Sequence, residues 1–232
     1  MIKRLLQQKL MCFSIVLFSH SVLADSQIED EKKLLANIFP TTCHFSGQFL
    51  QQKRIEGLPV PLRSDGDFFF SCDLGLIWST QSPFEDALLY VNASRNYRIN
   101  ERGEIEPLSG IAHYSMSKIF LRLLRGDTDY FANEFAVSEV PETGVIELRP
   151  ESGFMQKGIE RIDFKKNQSL EHGVSLQVNV VDATGQVTQV SIDKITEHEI
   201  EGKRNAFEQC EKLYPSTSKW CEVLRSPARF DK

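Results

Sequence analysis

The chain has 232 residues, of which 41% are hydrophobic, 10% aromatic and 25% charged, and these are globular proportions that exclude a disordered or collagen-like chain. The formal charge of −5, with no Lys/Arg-rich stretch, excludes nucleic acid as a partner, because phosphate binding needs a concentrated positive field. No apolar run approaches the ~18 residues of a membrane span.

The N-terminus reads as an address. Lys3, Arg4 and Lys9 make a basic front, and a mostly apolar stretch from Leu10 to Leu23 follows. Val22 and Ala24 stand at the −3 and −1 positions of a secretory cleavage site, so residues 1–24 are expected to be a signal peptide. Asp25 then follows the cut where a lipid-anchored product would need Cys, which predicts a soluble secreted product. Cys12 leaves with the signal. Cys43, Cys72, Cys210 and Cys221 remain, an even number for an oxidising compartment, and they allow three pairings. Cys210–Cys221 closes a short loop and is favoured, with Cys43–Cys72 as the second bond. No C-x2-C pair exists and His44 beside Cys43 is poor ligand spacing, so neither a metal nor a cofactor is expected.

Along the chain, Ile28 to Phe39 has apolar residues at roughly helical spacing and Pro40 stops it. From Cys43 the period changes to two: Phe45, Gly47 and Phe49 alternate with Ser46, Gln48 and Leu50. Leu58-Pro59-Val60-Pro61 breaks that strand, Asp65-Gly66 is a turn signal, and Phe68 to Trp78 is strand-rich. Glu85 to Asn92 and Tyr97 to Glu101 read as further strands. Met116, Ile119, Phe120, Leu123 and Leu124 then form one apolar helix stripe, closed by Gly126, with Ser115 or Ser117 competing for its cap. Asp127 is placed to cap a second short helix through Ala132. Strands resume at Val145–Arg149, Ile159–Lys165, Val174–Val181 and Val187–Asp193. The last two form a hairpin turning at Asp182-Ala183-Thr184-Gly185. Lys203 to Leu213 is a helical, charged tail. The sum is mainly β with α: an antiparallel sheet of about nine to eleven strands whose apolar face the helices must cover.

Catalytic motifs are absent: there is no G-x-S-x-G, P-loop, H-E-x-x-H or Rossmann glycine run. His113 beside Tyr114 and Ser115 reads as a helix-start cluster rather than a hydrolase set, so no catalytic residue is assigned. Phe45, Phe49, Phe68, Phe69, Phe70, Trp78, Phe84 and Phe120 are large apolar groups that either fill an ordinary core or line a concave face under a helical lid.

Several segments in order resemble the LolA family, the periplasmic carriers of outer-membrane lipoproteins. They are Phe45-Ser46-Gly47-Gln48-Phe49-Leu50-Gln51-Gln52-Lys53, Gly66-Asp67-Phe68-Phe69-Phe70, Leu76-Ile77-Trp78 with Pro83 five residues on, and the apolar strand Leu88 to Val91. After the amphipathic helix come Leu148-x-Pro150, Ile159 to Phe164, and the Asp-x-x-Gly hairpin. The resemblance spans about residues 30–195, and the Leu58-Pro59-Val60-Pro61-Leu62 segment places it with a divergent subgroup. It implies an incomplete antiparallel β-barrel closed by short lid helices. It also implies a carrier that shields the acyl chains of lipoproteins or another lipid, between an inner-membrane donor complex and an outer-membrane acceptor. The expected organisation is a signal peptide at 1–24, a carrier domain at 25–196 and a disulfide-clamped helical tail at 197–232, acting as a monomer. Cavity candidates are Phe49, Phe68, Phe70 and Trp78 on the sheet, with Ile119, Phe120, Leu123 and Leu124 on the lid; the period-two reading leaves strand parity open. Two departures stand out. The stretch Ser71-Cys72-Asp73-Leu74-Gly75 lacks the arginine with which the family holds its lid, and the tail beyond Thr196 has no part in the match. The competing reading is a non-catalytic interaction module that works on an envelope transporter or assembly through its surface.

Overall fold

The computed structural model describes residues 19–92, 94–169 and 173–231. The expected signal peptide therefore lies mostly outside the described residues; only its last part falls within the helix α1 (Ser19–Ala36). Among the described residues no helix is long and apolar enough to cross a membrane.

Eleven strands make one antiparallel sheet. A first meander comprises β1 (His44–Lys53), β2 (Leu62–Ser71), β3 (Gly75–Ser82), β4 (Asp86–Tyr90), β5 (Asn96–Ile99) and β6 (Ile105–Leu108). A second comprises β7 (Phe135–Val140), β8 (Val145–Pro150), β9 (Ile159–Ser169), β10 (Gly173–Asp182) and β11 (Val187–Glu197). The two meanders join through the β1–β11 pair, giving the order β6-β5-β4-β3-β2-β1-β11-β10-β9-β8-β7. β6 and β7 are left as the two unpaired edges, so the barrel is incomplete. They are also consecutive in the chain, and the link between them holds α2 (Ile111–Leu124) and α3 (Thr128–Glu134). A connection from one edge of a curved sheet to the other has to pass over the open side, which is why these helices roof the inner face.

That face is apolar because strand periodicity sends alternate residues inward. Phe45 and Phe49 of β1, Phe68 and Phe70 of β2, Leu76 and Trp78 of β3, Ile162 and Phe164 of β9, Val178 of β10 and Val190 and Ile192 of β11 form one cluster with α1, α2 and α3. Phe69 and Ile77 point the other way. They belong to a second cluster on the outer face with Leu89, Tyr97 and Ile99, covered by α4 (Gly202–Leu213) and α5 (Lys219–Arg225). The Cys210–Cys221 disulfide ties these two helices together, and the Cys43–Cys72 disulfide ties the start of β1 to the turn after β2. Both are the favoured pairings.

Most expected elements are present, with differences that have physical causes. The first helix starts at Ser19, ahead of the expected Ile28, and Phe68–Trp78 is two strands around a turn at 72–74. α2 begins after Gly110, which has no side-chain cap, instead of at a Ser115 or Ser117 cap; Ser117 is fully buried and faces the sheet. Asp127 does cap α3, accepting from the Tyr130 N–H at 3.0 Å. The hairpin turn forms as expected, with the Asp182 carboxylate accepting from the N–H groups of Thr184 and Gln186 at 2.9 and 3.0 Å and Gly185 at φ 81°. The strands β6 and β7 had no counterpart in the sequence reading.

Candidate functional site

The eight residues picked from sequence as cavity candidates come together. Phe49, Phe68, Phe70 and Trp78 all point inward and all are buried. The parity follows from register: Phe49 pairs with Gly66, and Phe68 stands opposite both Gly47 and Trp78. Above them Ile119, Leu123 and Leu124 are buried, and Phe120 is half-buried. Phe49 stacks on Trp78 with ring centroids 3.8 Å apart, Phe68 lies 5.8 Å from Trp78, and Phe120 of α2 reaches down to within 6.0 Å of Trp78 and 6.2 Å of Tyr90. An aromatic pair contributes about 0.5–1.5 kcal/mol beyond its area burial. Burial pushes the Tyr90 hydroxyl up to about 12, so it is neutral at any physiological pH.

Sequence reasoning missed the partners from the other meander and from the helices at its side. Phe39 stands edge-on to Phe131 at 4.9 Å and to Phe164 at 5.9 Å, and Phe131 stacks with Phe135 at 5.4 Å. Phe131 lies on α3 and Phe135 opens β7, so the two rings meet across the helix-to-strand junction, which no single periodicity in the sequence marks.

Polar contacts along α2 tie it to the sheet side. With the buried Asn96 amide turned so that its nitrogen donates to the Asn92 and Arg95 carbonyls at 2.9 Å, its oxygen accepts from the Ser117 hydroxyl at 3.0 Å. At the far end of α2, Arg125 Nη2 donates to the Cys72 carbonyl at 3.3 Å. Arg125, the residue after α2, thus sets its guanidinium against a backbone acceptor in the turn after β2.

An open apolar groove of about 540 Å³ lies beside the aromatic stack, at the end where α1 runs into β1. None of the eight candidates lines it. Its wall includes Ile38, Phe39, Phe45 and Leu176, and Phe45 continues inward to Phe70 and Phe68 with centroids at 5.4 and 6.0 Å.

Titratable groups gather elsewhere, where β1, β2 and the end of β11 meet α4. His44 Nδ1 lies 3.0 Å from the Ser71 hydroxyl, and its Nε2 is 3.9 Å from the Asp73 carboxylate. His198 Nε2 lies 2.9 Å from the Ser46 hydroxyl, and its Nδ1 faces the Gln209 amide at 3.4 Å. Burial lowers both histidines, offset at His44 by Asp73 and reinforced at His198 by His44. Ser71 is fully buried and already accepts from the Asp73 N–H at 3.2 Å, so its hydroxyl is engaged in stapling this turn. The side chain of His113 lies outside the described residues. No cluster of three or more His, Cys, Asp or Glu placed to hold a metal occurs among the described residues.

No family model and no curated protein matches the sequence. Among solved structures, the chain is similar to a LolA superfamily protein of Nitrosomonas europaea, at 8% identity and a TM-score of 0.41, over 75% of this chain and 94% of that one. It is also similar to a Vibrio parahaemolyticus domain assigned to outer membrane lipoprotein sorting, at 9% identity and a TM-score of 0.43, over 82% and 99% of the two chains. A third is a DUF1329 family protein of Desulfovibrio piger, at 11% identity and a TM-score of 0.36, over 76% and 95%. The unclosed eleven-stranded sheet roofed by a helical connection stands on this chain's own strands, helices and register.

Proposed function

We propose that this chain is a periplasmic carrier, exported by the signal at residues 1–24, that shields the acyl chains of a lipoprotein or another lipid without catalysing a reaction. The supporting observation is the continuous apolar inner face of β1–β3 and β8–β11 beneath a helical connection. An acyl chain of about fifteen methylenes gains on the order of 12 kcal/mol on leaving water, so it needs shelter between membranes. The shelter must also open, which requires open and closed states of the roof that differ by only a few kcal/mol. Room is available: a groove of about 540 Å³ falls inside the ~300–1,000 Å³ of ligand pockets. The donor complex and outer-membrane acceptor of the carrier scheme, and the division into a domain at 25–196 with a tail at 197–232, belong to the same proposal.

One observation favours a second reading, a non-catalytic interaction module. The rings of Phe49, Trp78 and Phe120 close the centre of the inner face with the protein's own side chains. The test is native mass spectrometry of protein purified from periplasm, with titration of a fluorescent fatty acid. The carrier reading expects acyl species to co-purify and the probe to bind. If neither occurs, the carrier is refuted and the module stands.

A further inference from the structure

The sheet is split at the end that holds the groove. Among the described residues β11 pairs with β10 only from Val187 to Ile192; beyond that point it pairs with β1 alone, while β10 continues along β9 to Gly173. In the part of β11 that leaves β10, the register against β1 jumps from Gln48–Asp193 to Ser46–Thr196, so that Lys194 and Ile195 together face Gly47. This is a β-bulge, a device that re-aims a side chain. Lys194 has φ 50°, and among the described residues it is the one non-glycine residue in the left-handed region. Glycine or asparagine would adopt that backbone readily, whereas lysine does so at a cost of about 1–2 kcal/mol. Strain held by a non-glycine residue at a cavity wall points to a task for its side chain.

The groove also has a polarity. Lys166 of β9 and Lys194 stand on its wall, with Glu197 as the one carboxylate of the lining, in a chain whose net charge is −5. Neither lysine forms an ion pair among the described residues, and Lys166 Nζ donates only to the Asn37 carbonyl at 3.2 Å. By contrast, Lys32 and Lys33 of α1 are both neutralised by carboxylates. The remaining wall is largely apolar and runs inward through Phe39 and Phe45 to the inner cluster. Two ammonium groups without a carboxylate partner among the described residues, over an apolar trough that leads into a core, match a molecule with an anionic head and a hydrocarbon tail.

We propose that this groove binds an acyl amphiphile with an anionic head group, Lys166 and Lys194 holding the head while Leu176, Ile195, Phe39 and Phe45 receive the first methylenes. The proposal rests on the carrier reading and adds the ligand's charge and its point of entry. Phe45 is the hinge between the groove and the aromatic stack: a change of its rotamer joins the two spaces.

The test uses the full delipidated chain and three palmitoyl probes followed by native mass spectrometry: palmitate, palmitoyl lysophosphatidylglycerol and uncharged monopalmitoylglycerol. The wild type is expected to bind the two anions about tenfold more tightly than the uncharged probe, as charge-assisted contacts would give. Lys166→Gln combined with Lys194→Asn should abolish that preference and leave monopalmitoylglycerol binding unchanged; asparagine keeps the left-handed backbone, so the fold is retained. Ile195→Asp should weaken all three. The stronger of the two anions identifies the head as phosphate or carboxylate. A wild type with no preference for anions, or a preference that survives the double substitution, overturns the proposal while the carrier reading stands. If no probe binds at all, both fall.

Discussion

Ser117→Ala isolates the roof from the rest of the molecule. Ser117 is fully buried and Asn96 is 3% exposed, so removing the hydroxyl leaves the Asn96 carbonyl oxygen without its donor inside the closed structure. An unsatisfied buried polar group costs about 1–3 kcal/mol. Lifting α2 lets water reach Asn96, so the penalty falls on the closed state alone. At about 1.4 kcal/mol per factor of ten, the open population should rise by roughly 5- to 150-fold. Helix propensity acts in the other direction, since alanine favours α2 over serine by up to about 0.5 kcal/mol, and the polar term wins. Native-state amide exchange is the assay. With that offset taken off, the amides of residues 116–124 should exchange roughly 2- to 60-fold faster, with those of β1 and β2 unchanged, and the fluorescent fatty acid should load faster. Slower exchange in α2 would show that propensity dominates. Equal loss of protection in sheet and helix would show that Ser117 holds the whole fold and not a lid. Either result refutes the reasoning.

Three further outcomes follow from particular contacts. A Cβ at Gly66 would lie 1.9 Å from the Ser79 carbonyl oxygen, so Gly66→Ala must part β2 from β3 and should lower stability in urea by more than about 3 kcal/mol. Gly103→Ala, with φ 73° and no atom within 4 Å of the added carbon, should cost only about 1 kcal/mol. His44 and His198 are held below their ordinary range by burial, so the folded state binds fewer protons than the unfolded one. Their contribution is complete above about pH 6.5 and is lost as pH falls below it. Asp67 and Asp163, raised by burial, act in the opposite sense, so the histidine effect is read as the difference between wild type and His198→Gln in urea melts at pH 7.5 and 5.5; the variant should lose less. Reduction of Cys210–Cys221 should release α4 and α5 and uncover Phe69, Ile77 and Leu89, seen as a rise in hydrophobic-dye binding above the level before reduction.

Much of the architecture was legible because one face of each inner strand follows period two. Phe45, Gly47 and Phe49 mark a strand whose inward side only the register decides, and Val174 to Ile192 mark a hairpin. Phe68-Phe69-Phe70 do not, because both faces of β2 are buried and alternation vanishes where nothing need be polar. What covers Phe69 comes from a tail so rich in charge that its buried side, Ala206, Cys210, Val223 and Leu224, is sparse. The edge β6 carries Pro107, which suits an edge but argues against a strand in isolation. β7 follows α3 without a break, so its start reads as more helix. The cavity candidates were found by size and apolarity. The groove was not, since a bulge at Lys194 and the parting of β10 from β11 leave no mark in composition.

The helices on the outer face bear on how the protein is made. β2 to β5 are synthesised long before α4 and α5 are, and until those last helices arrive Phe69, Leu89 and Tyr97 have no cover. A chain of this design cannot mature segment by segment as it is made. Its first half is sticky on two sides until the final thirty or so residues appear, and the oxidising step that joins Cys210 to Cys221 then seals a surface that was made much earlier.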